Sequence, residues 1–161
     1  MEEIFLKLKG KDIKIYSFTD RSVSLGDILE KCGGELTEKS GNVYKSVVFL
    51  DKINRKDKIF NLKKALNSSD LILINSSRNM GIDQMNIESI SYGIDEKSTI
   101  TLSSISDIED EEPIICIQRS FNSLFGNEYE PMEIKVDNVF GIKDLETYVG
   151  VMSIKIILEL D

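Results

Sequence analysis

The apolar positions of this chain change their period along its length. From Ile4 to Leu8 they alternate with polar ones, and Ile13-Lys14-Ile15-Tyr16-Ser17-Phe18 repeats the pattern after Gly10. A short N-terminal hairpin, or two successive strands, is predicted there. Leu25, Ile28, Leu29 and Cys32 then fall at i, i+3, i+4 and i+7, one face of a helix. Ser24 with Asp27 resembles a capping box at its start, and Gly33-Gly34 supplies a left-handed stop. Val47-Val48-Phe49-Leu50 is a continuous apolar run, as expected of a strand covered on both faces. Ile59, Leu62 and Leu66 mark a second helix over residues 55–67, and Leu71-Ile72-Leu73-Ile74 another buried strand. Strand, helix and strand at this spacing predict a βαβ unit on a parallel sheet.

From Ile87 onward the pattern shifts. Four strand-type segments, 87–94, 99–106, 114–121 and 132–136, are separated by charged or Gly/Asn/Pro turns, which predicts an antiparallel meander. Ser91-Tyr92-Gly93 reads as the joint between the parallel sheet and this lobe, with Gly93 permitting the bend and Asp95-Glu96-Lys97 forming the turn. In the tail, Leu145, Val149, Met152, Ile156 and Leu160 form a helical stripe behind Asp144, although Ile154, Ile156, Leu158 and Leu160 also alternate. Helix is favoured because the stripe is sustained over the whole segment. The expected architecture is one α/β domain: a βαβ-type half over 1–86, antiparallel strands over 87–136 and a C-terminal helix over 142–161. Its sheet would be short, mostly parallel and Rossmann-like, with flanking helices and an antiparallel β meander as extension.

Composition narrows the function classes. The chain has 161 residues, 41% hydrophobic and 30% charged, as in a folded domain that buries roughly two-thirds of its unfolded surface. A net charge of −8 argues against nucleic acid and against anionic lipid. The one basic stretch, Lys52 to Lys64, holds Arg55, Lys56, Lys58, Lys63 and Lys64 and reads most simply as a solvated helix face. Cys32 and Cys116 read as two buried thiols rather than a disulfide. Met1-Glu2-Glu3 opens directly onto a strand and no run approaches a membrane span, so a cytoplasmic location is expected.

Candidate chemistry is sparse. The chain contains no histidine, which removes Ser-His and Cys-His triads and the commonest metal ligand. The acidic run Asp107, Glu109, Asp110, Glu111 and Glu112 lacks the spacing of a cation loop and reads as a solvated hairpin tip. Asn75-Ser76-Ser77-Arg78 follows a predicted parallel strand, at the edge where open α/β sheets bind ligands. Arg119 lies in a strand-type segment, able to hold an anion or to pair with Glu130 or Glu133 across the sheet. Asn75, Ser77, Arg78 and Arg119 are the candidate ligand-binding residues, set against plain structural roles for each. No catalytic residue, metal site or cofactor is expected.

Lys58-Ile59-Phe60, the strand Leu71 to Ile74 with Asn75-Ser76-Ser77-Arg78 after it, Ser91-Tyr92-Gly93 and Asp137-Asn138-Val139-Phe140-Gly141 follow one another in an order that resembles the latter half of the central domain of Mur ligases. Ile117-Gln118-Arg119-Ser120-Phe121 and Glu130-Pro131-Met132-Glu133-Ile134 resemble Mur-ligase-like proteins of low-GC bacteria. The departures are chemical. There is no Gly-x-x-x-x-Gly-Lys-Ser/Thr loop, no histidine to hold the family's metal, and Ser77-Arg78 where the family's turn is acidic. The resemblance therefore implies an inherited fold without ligation chemistry: a non-catalytic module acting by contact with another protein, linked to cell-envelope biosynthesis. Homo-oligomerisation is compatible with this. The alternative is a sensor or enzyme for a small anionic ligand, a nucleotide or UDP-sugar, held by Asn75–Arg78 and Arg119.

Overall fold

The computed structural model describes residues 1–19, 24–42, 44–53, 59–77, 86–103, 113–135, 142 and 144–160. Strands β1 (Glu2–Leu8) and β2 (Lys11–Phe18) pair antiparallel from Glu2↔Ser17 to Leu8↔Lys11. Lys9 and Gly10, at φ 50° and 73°, close them with the two positive-φ residues that a tight right-twisted hairpin requires. Helix α1 (Leu25–Lys31) follows Ser24, whose side chain makes no cap hydrogen bond, so the expected capping box does not form. Its stop does: Gly33 has φ 95°, and the Gly34 N–H returns to the Leu29 carbonyl at 2.9 Å. After β3 (Glu35–Leu36), β4 (Lys45–Leu50), α2 (Ile59–Asn67) and β5 (Leu71–Asn75) form the βαβ unit.

The expected Rossmann-like architecture is not what the chain adopts. Strands dominate: one sheet of nine strands runs β11-β8-β7-β6-β5-β4-β2-β1-β3, with three helices in the described chain. Here β6 is Glu88–Tyr92, β7 Ile100–Leu102, β8 Ile114–Ile117 and β11 Met132–Lys135, while β9 (Phe121–Asn122) and β10 (Glu128–Tyr129) form a separate two-stranded ribbon. The five central strands β2, β4, β5, β6 and β7 are parallel, and both margins are antiparallel. The four-strand meander is corrected to three. β6 belongs to the parallel set, in register from Leu71↔Glu88 to Asn75↔Tyr92, and the sense of the sheet reverses between β7 and β8. β6 reaches β7 through the turn after Gly93, and the two share the single pair Tyr92↔Ile100.

The physical reason lies in what covers each face. Ile13, Ile15, Val47, Phe49, Leu71, Leu73, Ile90, Tyr92, Ile100 and Ile115 project to one side, against α1 and α3 (Leu145–Ile157). On the other side Tyr16, Phe18, Val48, Leu50 and Ile72 pack against Ala65 and Leu66 of α2. Among the described residues that second cover thins past β5, where Ile87 packs at its margin. Beyond β5, the second face of the sheet carries Ser89, Ser91 and Thr101, the partly buried Ile114 and Cys116, and Glu133 and Lys135 exposed at the margin. A half-covered sheet needs only one apolar face per strand, which is why β6 and β7 alternate while β4 does not; β8, Ile114-Ile115-Cys116-Ile117, stays apolar on both faces. The tail is helical over Leu145–Ile157, and α3 is buried nearly all round, as its predominantly apolar sequence favours, with Thr147 and Ser153 buried among the apolar residues. Each fully buried Leu or Ile contributes about 2 kcal/mol.

Candidate functional site

Open parallel sheets gather ligands at the carboxyl ends of their strands. In this protein that edge holds a dense set of polar side chains from four strands and from the first turn of α3. Asp51, directly after β4, is fully buried. Its Oδ1 accepts a 2.7 Å hydrogen bond from the Tyr92 hydroxyl at the end of β6. Its Oδ2 accepts from the Thr19 hydroxyl after β2 at 2.9 Å and faces the Thr147 hydroxyl of α3 at 3.1 Å. The Thr147 hydroxyl also lies 2.8 Å from Asp144 Oδ2, so its single proton serves one carboxylate at a time. Asp144 is paired with Lys52. The hydrogen bond from that ammonium holds the Asp144 carboxyl below the usual carboxylate range, against the upward push of burial.

The adjoining strand end is equally engaged. Asn75 is buried, its amide donating to Glu146 Oε2 at 3.1 Å and its carbonyl oxygen accepting from the Ser77 N–H at 3.1 Å and the Ser77 hydroxyl at 2.8 Å. Ser76 donates to Asp95 Oδ2 at 3.0 Å, and Ser98 lies 2.8 Å from the Ser76 hydroxyl. Asp95 Oδ1 accepts from the N–H groups of Lys97 and Ser98, which shapes the turn between β6 and β7. Burial works to raise the Asp95 pKa, but the donors from Ser76, Lys97 and Ser98 leave it lowered.

Two glycines make this closeness possible. A Cβ on Gly93 would stand 2.3 Å from the Ser76 hydroxyl. One on Gly150 would stand 2.7 Å from the Tyr92 ring, so α3 crosses the sheet where only a bare backbone fits. Tyr92 also stacks on Phe49, ring centroids 5.8 Å apart.

Of the residues singled out in the sequence, Asn75 and Ser77 meet within one turn. Arg119 is exposed just past β8 and donates to the Lys97 carbonyl instead of pairing with Glu130 or Glu133. It joins Asn75 and Ser77 indirectly, through the Asp95–Ser98 turn that Ser76 also binds. Arg78, the acidic run from Asp107 to Glu112 and the Asp137–Gly141 segment lie outside the described residues, as do Arg55, Lys56 and Lys58 of the basic stretch. Cys32 and Cys116 are free thiols, the first buried and the second partly buried.

Sequence reasoning missed Asp51, Thr147, Glu146 and the role of the Tyr92 hydroxyl. One signal was present: an acid placed directly after a doubly covered strand must sit at the sheet's carboxyl edge. Among the described residues no group of three or more His, Cys, Asp or Glu could hold a metal ion, and no helix is long and apolar enough to cross a membrane. What the cluster does is mechanical and electrostatic. It ties α3 to the ends of β2, β4, β5 and β6 through hydroxyl–carboxylate and amide–carboxylate bonds. No family model matches the chain, nor does any curated protein or solved structure.

Proposed function

We propose that the protein is a non-catalytic module that works by binding another protein. The observation that carries this reading is the carboxyl edge of the sheet. The described polar groups that would receive a ligand there are bonded to one another, and α3 lies across them. An anion is poorly served at this edge, because the carboxylates Asp51, Asp95, Asp144 and Glu146 outnumber the described cations around it, Lys52, Lys97 and Arg119. The likeness of the Asn75–Arg78 and Ser91–Gly93 segments to Mur ligases supports a link to cell-envelope biosynthesis. The missing phosphate-binding loop supports the absence of ligation chemistry.

A thermal-shift screen with nucleotides and UDP-sugars tests this. The expected outcome is no saturable stabilisation. A saturable shift that disappears in Arg78→Ala or Arg119→Ala would overturn the reading and install a small-ligand site at this edge. Calorimetric titration with Mg-ATP is expected to show no binding tighter than about millimolar, the weak end of the affinity scale.

A further inference from the structure

We infer that the exposed side of α2 is the docking surface, and that its partner is an acidic protein segment carrying one or two large apolar side chains. This rests on the protein-contact reading above and names the partner's chemistry. Ile59 and Phe60 are each 73% exposed, whereas the other exposed large apolar side chains, Met1, Leu36, Ile94 and Met132, lie between 38% and 49%. Two large apolar side chains held this far into water on the first turn of a helix form an anchor of the kind that dominates binding energy when a partner covers it.

The charge beside them selects the partner. Residues four apart on a helix are neighbours, which places Lys63 next to Ile59 and Lys64 next to Phe60. Both lysines are exposed, and neither is ion-paired among the described residues. On a chain of net charge −8, these two exposed cations beside the most exposed apolar pair among the described residues form a local field opposite in sign to the whole molecule. Carboxylates flanking an apolar anchor complement that field, and a basic segment would be repelled by it. An anionic bilayer fits less well, because a chain of net charge −8 is repelled as a whole by an extended anionic surface, whereas a short acidic segment meets only the local field. The helix itself is pinned to the sheet by Ala65 and Leu66, which leaves only its outer side to make contact.

The test uses the full chain over an array of equal-length peptides with the same Leu and Phe anchors and Glu, Gln or Lys between them. Retention on the Glu series is expected to exceed the Gln series roughly tenfold and to fall as salt rises. It should disappear in Phe60→Ala and in the double variant Lys63→Glu/Lys64→Glu, with circular dichroism confirming that both variants are folded. Equal retention on all three series, no retention on any, or capture instead by phosphatidylserine vesicles overturns the inference. Self-association lost in the same variants also overturns it, by assigning the surface to a second copy. Retention that depends on Phe60 but not on charge removes only the acidic class and leaves the protein-contact reading standing. A saturable nucleotide or UDP-sugar shift removes that reading whatever the peptides do.

Discussion

The two ends of α3 hold carboxylates in opposite ways. At its start, Asp51 is fully buried and surrounded by neutral donors, the hydroxyls of Tyr92, Thr19 and Thr147. Past its end, Glu159 has φ 55° and binds an exposed cation, Lys9 in the β1–β2 turn, along with the Ser123 and Asn127 side chains. Burial would raise the Glu159 pKa, but the bonds from Lys9, Ser123 and Asn127 bring it down to about 2. The start of the helix is thus held in part by geometry that water cannot reach, beside the exposed Lys52–Asp144 pair. Its end is held by charge that salt and acid can weaken. A buried carboxylate is costly to orphan, whereas a wet ion pair contributes little.

The widest gap between the two ends should come from removing each carboxylate in turn. Asp51→Ala leaves up to three hydroxyls without their buried acceptor and is expected to destabilise the fold by about 3 kcal/mol in urea titration. If Asp51→Ala lost no more than Glu159→Ala, the distinction between the two ends would collapse.

Gly150→Val probes the same buried end through packing. Its Cβ would meet the Tyr92 ring at 2.7 Å, so α3 must lift, at a cost of about 1–3 kcal/mol by thermal melting. Tyr92→Phe keeps the ring and deletes the hydroxyl, for about 1–2 kcal/mol. In a double-mutant cycle it should be non-additive with Asp51→Asn, because the two side chains share one hydrogen bond.

Acid sharpens the other end. With a folded pKa of about 2 against an ordinary value of 4.5, Glu159 contributes stability that is fully present above pH 4.5 and is lost as pH falls toward 2. Glu159→Gln should therefore flatten that part of the stability–pH profile, costing most stability at neutral pH and little near pH 2. The smallest effect belongs to Lys9→Ala, about 1 kcal/mol or less and shrinking in high salt, since the Lys9 side chain is 54% exposed.

The same contrast shows how much was legible beforehand. Local periodicity located the β1–β2 hairpin, α1 with its Gly33 stop, the β4–α2–β5 unit and the helical tail, because a period of 2 or 3.6 reports directly which side of an element is dry. It misplaced β6. The alternation of Ile90 and Tyr92 with Ser89 and Ser91 says that one face is covered, and this holds whether the neighbouring strand runs parallel or antiparallel. Asn75 and Ser77 were recognisable as a strand-end turn from their residue types. Their bonds to Glu146 and to each other were not.

What the sequence by itself determined is therefore which of the longer segments are strand or helix and that no phosphate loop or histidine chemistry is present; the two-residue strands β3, β9 and β10 were not foreseen. Only the tertiary structure decided the strand order and the contents of the carboxyl edge. Strands pair through backbone groups that every residue except proline carries, so their order leaves almost no mark on side-chain identity. Asp51 finds Tyr92 at a separation of 41 residues and Thr147 at 96. Contacts that distant exist only after the sheet has formed and α3 has closed over it, where the bare backbone of Gly150 lets the helix approach the Tyr92 ring.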